Sequence, residues 1–139
     1  MTGPGVVGGD AAEVVRTPTD LVKLLVTDRG DVQVAEYTSA DRDGPPAHTH
    51  QWHEIEYVIE GEVEFLLDGQ WCSASVGDVQ VLPAGSSHSV RVPEGEARLL
   101  MVTIGAPYDG FAHDLAALPA DATGADVVAA ASRHGVELA

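Results

Sequence analysis

Between residues 21 and 104 the chain divides into eight short apolar runs with a turn signal between most neighbours, and this punctuation limits the folds open to it. The runs are LVKLLVT, DVQVAEYT, EIEYVIEG, EVEFLLDG, QWCSAS, DVQVLPAG, HSVRV and ARLLMVTI. Several alternate apolar and polar residues, the period of a half-buried strand rather than of a helix. The breaks include Asp28-Arg29-Gly30, Gly44-Pro45-Pro46, Gly77-Asp78, Pro83-Ala84-Gly85 and Pro93-Glu94-Gly95. Asp68-Gly69 lies between two alternating runs and predicts a tight hairpin, because both residues tolerate the positive φ of a type I′ turn. Strands at this spacing imply an all-β sandwich or barrel.

The flanks read differently. Residues 1–20 are rich in Gly, Pro, Thr and Asp and are expected to form a mobile arm with a short strand near AEVVR. Gly3-x-Gly5-x-x-Gly8 matches a dinucleotide fingerprint in form only, since no strand pattern precedes it and no helical pattern follows. After Pro107, Phe111, Leu115 and Leu118 fall at helical spacing. ADVVAAASRHG at 125–135 has Asp126 near its start and Gly135 as a C-terminal cap. Two short helices are predicted, covering an open end or an outer face of the sheet with Tyr108 and Phe111 as anchors. A length of 139 residues suits one domain. We divide it into an arm (1–20), a barrel (21–107) and a helical tail (108–139).

Composition excludes some partners. With 22 acidic and 7 basic residues the formal charge is −15, so nucleic acid and anionic membranes are repelled. No apolar run approaches the roughly 20 residues of a membrane helix. The N-terminus lacks the pattern of an export signal, and the lone Cys72 has no internal partner, so a cytoplasmic location is expected.

The chemistry is concentrated in HTHQWHEIEYVIEG, residues 48–61. Alternate residues of a strand face one side, so His48 and His50 project together, about 6–7 Å apart. Two imidazoles at that spacing can converge on one ion, and Glu54 shares their parity. His53 has the opposite parity. The best candidate for a fourth ligand is His88, which opens HSVRV on the face of Val90 and Val92.

These residues fit a known pattern. His48-Thr-His50, three residues, Glu54, six residues and Gly61 match the end of the first cupin motif. Gly77, five residues, Pro83-Ala84-Gly85, two residues and His88 match the second. The sequence therefore resembles the cupin superfamily, best over residues 30–104, and its tail is similar to that of small single-domain cupins of the quercetin-dioxygenase-like group. Arg42 stands where the first motif opens with Gly, with Gly44 two residues later, and Val92 replaces the Asn that closes the second. The resemblance implies a double-stranded β-helix, or jelly roll, in which His48, His50, Glu54 and His88 bind one divalent metal ion. That donor set leaves open positions and suits Fe(II), our first choice, as well as Mn, Ni, Co or Zn.

Glu54 and Glu56 are the candidate catalytic residues. Parity puts Glu56 on the ligand face, where it would orient a ligand or move a proton. A strand bulge would instead turn it to solvent. Trp52 is expected in rim packing, His53 on the outer face with a substrate contact as the alternative, and Tyr37, Tyr57 and Tyr108 in the core or an interface. Cys72 is expected as a buried strand thiol, His113 on a solvated helix face, and His134 at its own helix's C-terminal end.

Three functions remain. The leading one is a small metal-dependent dioxygenase binding O₂ and an aromatic or polyketide-like substrate, held by Val58, Phe65, Val81, Val90 and Leu99 or by their neighbours of opposite parity. The second is a non-redox cyclase, isomerase or lyase with the metal as Lewis acid and Glu56 as acid or base. The third is a ligand-binding or sensor module without catalysis. A homodimer is expected, with the N-terminal arm able to pair across to a second copy.

Overall fold

The computed structural model describes residues 3–139. All eight predicted runs are strands: β2 (Asp20–Arg29), β3 (Val32–Ser39), β5 (His53–Glu60), β6 (Val63–Leu67), β7 (Gln70–Ala74), β8 (Val79–Leu82), β9 (His88–Arg91) and β10 (Ala97–Ile104). The arm contributes β1 (Glu13–Arg16), which pairs with β2 of its own chain. A two-residue strand, β4 (His48–Thr49), carries the first histidine of the cluster. Two helices follow, α1 (Asp109–Ala116) and α2 (Gly124–Ser132), and then a strand the sequence pattern does not reveal, β11 (Glu137–Leu138).

Two antiparallel sheets face one another, one in the order β1-β2-β3-β10-β5-β8 and the other in the order β11-β4-β9-β6-β7. This is the jelly roll expected. Asp68 (φ 50°) and Gly69 (φ 80°) make the predicted turn, with Leu67 opposite Gln70. Gly44 (φ 71°) explains the displaced first motif. A Cβ there would stand 2.3 Å from the Val90 carbonyl oxygen, so glycine is required two residues later than in the pattern. Arg42, free of that constraint, donates to the carbonyls of Val92 and Gly95.

Register turns the first sheet into rows of inward-facing side chains. Gln33, Thr103, Glu54 and Leu82 stand side by side on β3, β10, β5 and β8; below them come Ala35, Met101, Glu56 and Gln80, and below those Tyr37, Leu99 and Val58. One end of the barrel is therefore apolar, with Val22, Val58, Val63, Phe65, Val92 and Leu99 buried together. Each such side chain contributes about 1.5–3 kcal/mol by leaving water. The other end is buried and polar.

The helices close the molecule beside that polar end. Gln33 anchors α1, its side-chain oxygen accepting from the Tyr108 and Asp109 amides at 2.9 Å and its amide donating to Asp109. Thr123 and Asp126 form a reciprocal cap on α2, and Gly135 (φ 73°) redirects the chain into β11. His113 is exposed and bonds Glu13 at 2.8 Å. His134 does not serve its own helix end. Its ring reaches Asp114 of α1 at 2.6 Å, because α2 packs beside α1 and brings that carboxylate within hydrogen-bond distance.

Two further expectations are corrected. Cys72 is exposed although it pairs with the buried Phe65 and shares its inward face, because β7 is the edge strand of its sheet. Val81 is 65% exposed and lines no site, because Gln80 and Leu82 take the inward positions of β8. Tyr57 and Val79 share that outer face. Among the described residues no helix is long and apolar enough to cross a membrane.

Candidate metal centre

Three imidazoles approach the polar end of the barrel from the second sheet and its loops. His48 of β4 lies opposite His88 of β9, and His50 follows just beyond β4. Each ring engages a backbone carbonyl through Nδ1: His48 with Pro46 at 2.9 Å, His50 with Trp52 at 3.0 Å and His88 with Ser86 at 3.0 Å. A carbonyl only accepts, so each Nδ1 carries a proton and Nε2 is left as the ring nitrogen that can ligate. This is the second support that metal-binding histidines generally show.

Glu54 faces these rings from β5. Its carboxylate oxygens lie 3.4 Å from His50 Nε2 and 3.9 Å from His88 Nε2, and the donor atoms of His50, Glu54 and His88 all lie within 4.8 Å of one another. His50 Nε2 is buried without a hydrogen-bond partner. A buried ring nitrogen left unsatisfied beside a carboxylate is costly for folding alone and apt for holding a cation. His48 stands next to this trio, its ring centroid 4.4 Å from that of His88 and 6.3 Å from that of His50. It is half-buried whereas the other three are buried. The donors fit a divalent ion of the kind that accepts imidazole and carboxylate together.

Trp52 is the main correction at the site. It is 1% exposed, the largest fully buried side chain, not rim packing. Its indole stacks on His50 (centroids 4.3 Å apart, 13° between planes), and its Nε1 donates to Glu54 Oε1 at 3.2 Å. Tyr108 and Phe111 cover it at 6.0 and 6.2 Å, so the predicted anchors of α1 rest on the residue that orients two candidate ligands. His53 is exposed, its Nδ1 accepting from the Ala84 amide, and takes no part in the cluster.

Glu56 points inward. Register across β5 runs unbroken from His53 to Tyr57, and the irregularity lies farther on, at Arg98/Leu99, so no bulge turns Glu56 to solvent. It is 3% exposed and held from two sides: the Tyr37 hydroxyl donates to Oε1 at 2.6 Å and the Gln80 amide to Oε2 at 2.5 Å. Neither Tyr37 nor Gln80 stood out as a site residue in the sequence. Tyr37 reads as a core aromatic, and only cross-strand register brings Gln80 opposite Glu56.

The environment separates the two carboxyls. Burial pushes Glu56 well above the ordinary carboxylate range, and the charge of Glu54 adds to this against the hydrogen bond from Tyr37. Burial acts upward on Glu54 too, but His50, His88 and the Trp52 N–H outweigh it and hold Glu54 low. Burial lowers His88 to about 4 and also lowers His48. These shifts act oppositely on stability. The Glu56 contribution is complete below its unfolded value near 4.5 and is lost as pH rises through the folded value; the His88 contribution is complete above 6.5 and is lost as pH falls toward 4. The His88 term is worth about 3 kcal/mol. Removing the Glu56 ionisation should leave it unopposed. In Glu56→Gln measured in EDTA, melting temperature is expected to exceed that of the wild type near pH 7.5 and to fall more steeply between pH 6.5 and 4.5. Parallel profiles would show that Glu56 is not held protonated by the fold.

Comparison with known proteins agrees with this geometry. The family model for the Cupin domain matches residues 36–104. The chain is 35% identical over 83 residues to quercetin 2,3-dioxygenase of Bacillus subtilis, an alignment covering 51% of this chain and 25% of that protein. It thus spans about a quarter of the length of that curated relative. Among solved structures, an RmlC-like cupin from Shewanella frigidimarina superposes with a TM-score of 0.68 at 18% identity, over 77% of this chain and 96% of the other. The polyketide cyclase RemF from Streptomyces resistomycificus superposes with a TM-score of 0.61 at 23% identity, over 73% and 80%. With the jelly roll, both histidine motifs and the family model in agreement, this chain belongs to the cupin superfamily.

Proposed function

We propose that the protein is a metal-dependent small-molecule enzyme in which His48, His50, Glu54 and His88 hold one divalent ion, with a dioxygenase acting on an aromatic or polyketide-like substrate as the leading reading. The observation that carries it is the convergence of His50, Glu54 and His88 donors at the buried polar end of the barrel, with Nε2 of His50 unpartnered. The likeness to a quercetin 2,3-dioxygenase favours oxygen chemistry. A bound divalent ion supplies charge to polarise chelated substrate oxygens and, if redox-active, a route for electrons to O₂. The chain's own residues supply the rest. Trp52, sealed by Tyr108 and Phe111, keeps water from one flank and fixes Glu54. Glu56, held by Tyr37 and Gln80, is placed to take or return a substrate proton.

That last feature supports a second reading, a non-redox cyclase, isomerase or lyase, since a buried carboxyl with a high proton affinity is suited to acid and base roles. The two part on oxygen. Iron-loaded protein given a flavonol or a catechol is expected to consume O₂ in step with loss of substrate. Turnover that proceeds equally under argon would replace the first reading by the second, and iron binding without turnover of any substrate class would favour a ligand-binding module.

A further inference from the structure

The sheet that turns Glu54 and Glu56 inward is apolar on its outer face as well. Register sets Val34, Val102, Ile55 and Val81 side by side across β3, β10, β5 and β8, a row without charge. The next row runs Glu36, Leu100, Tyr57 and Val79, with a carboxylate at its β3 end alone. The side chains toward β8 stand open to solvent: Tyr57 is 42% exposed, Val79 54% and Val81 65%. The helices do their packing elsewhere, α1 on β1 and β2, and α2 on α1 and β11. β8 is also the last strand of its sheet. An apolar face that runs out to an unpaired edge is a surface that native proteins cover.

Charge decides what covers it. The chain carries a formal charge of −15, yet on this face charge is gathered at one corner, where Arg98 bonds Glu36 at 3.0 Å and Glu60 at 2.7 Å. A second copy brings the same excess of acid, so two copies meet closely only through a surface that lacks it. A dissimilar partner chosen by charge would be basic and would take the acidic remainder of the molecule. Size points the same way. Four strands about 4.8 Å apart, over roughly 20 Å of their length, make a footprint on the order of 400 Å². That is the size of a functional patch. Side-chain relief and a polar rim bring it toward the roughly 800 Å² that each partner gives to a stable interface.

We propose that this outer face, centred on Ile55, Tyr57, Leu100 and Val102, is the contact between two copies of the chain, packed sheet against sheet about a twofold axis so that each copy covers Val79 and Val81 of the other. Such a contact is self-complementary, because each copy offers the same patch. It is the face-to-face packing of two sheets about 10 Å apart, made between chains instead of within one. The contact is independent of the chemistry at the metal centre, since Glu54 points to the inner side of this sheet and His48, His50 and His88 belong to the other sheet and its loops. It does lie on the reverse side of β5, the strand from which Glu54 and Glu56 project.

Sedimentation equilibrium of the full chain across the micromolar range is expected to give twice the chain mass. Val81→Glu changes a side chain open enough in the single chain to accept a charge, and should weaken association at least about 100-fold, because each pair would then bury two unpaired carboxylates. Its far-UV circular dichroism and metal content should match those of the wild type. Val79→Lys makes the same test with the opposite charge and serves if Val81→Glu folds poorly. Val14→Glu is the control: it lies on β1, on the far side of Lys23 and Glu36 from the apolar rows, and should leave the pair intact. A wild type that sediments as a single chain throughout overturns the proposal and leaves the face to a different partner. A pair that survives both Val81→Glu and Val79→Lys overturns it too, and a pair lost only in Val14→Glu assigns the contact to the N-terminal arm instead.

Discussion

Trp52→Ala is expected to cost about 3–5 kcal/mol, the range for deleting a large buried aromatic. That is a large part of the roughly 5–15 kcal/mol that stabilises an ordinary domain. For a chain of this size it corresponds to a fall in melting temperature on the order of 10–20 °C. The loss has two sources. A cavity opens beneath Tyr108 and Phe111, loosening α1, and the stacking on His50 disappears together with the hydrogen bond to Glu54. Trp52→Phe separates them, since it keeps most of the ring contact but removes the indole N–H. Thermal unfolding with and without metal should place Trp52→Phe between wild type and Trp52→Ala in the metal-free state, with a weakened metal response in both variants. A Trp52→Ala protein that melts within a few degrees of the wild type would refute the central place given to this side chain.

Single replacement of His50 or His88 by alanine is expected to lower metal affinity by more than about 100-fold, because removal of even an outer supporting partner commonly costs 10–100-fold. Each loss takes one donor from a group whose atoms lie within 4.8 Å of one another and leaves Glu54 without one of the histidines that hold it ionised. The stabilisation that added metal gives the wild type, which grows with the logarithm of metal concentration over Kd, should shrink accordingly. His53→Ala provides the control. It lies only three residues from His50 but is exposed and bonded to the Ala84 amide, so metal content should be unchanged. Metal retained at wild-type affinity in both His50→Ala and His88→Ala would rule out this centre.

What the sequence made legible, and what it hid, follows from the range of the interactions involved. The strands were readable because alternation is local: each run carries its own period, and Asp68-Gly69 its own turn. The histidines and Glu54 were readable because spacing along a chain fixes which side chains share a face. The errors all needed information from another part of the molecule. Trp52 is buried only because α1, some sixty residues later, lies over it. The sequence leaves open whether Val81 or its neighbours face inward, because the period of a strand is two and a one-residue choice on β8 exchanges its faces; the register turns Gln80 and Leu82 in. Cys72 is exposed because its strand ends a sheet, and no local pattern distinguishes an edge from a centre. Parity placed Glu56 inward, but its two hydrogen-bond partners come from β3 and β8 and appear only when the sheet is assembled.

The pairing of β11 with β4 has a consequence for how the protein is made. His48 sits on a strand of two residues, flanked by His88 on one side and Leu138 on the other, and the amide of Ala139 donates to the Ala47 carbonyl. So short a strand has little capacity to hold its own shape. The segment bearing this histidine is therefore braced by residues 137–139, which leave the ribosome ninety positions after it. Seating this histidine then becomes a late step in folding, one that waits for residues 137–139 to add their strand.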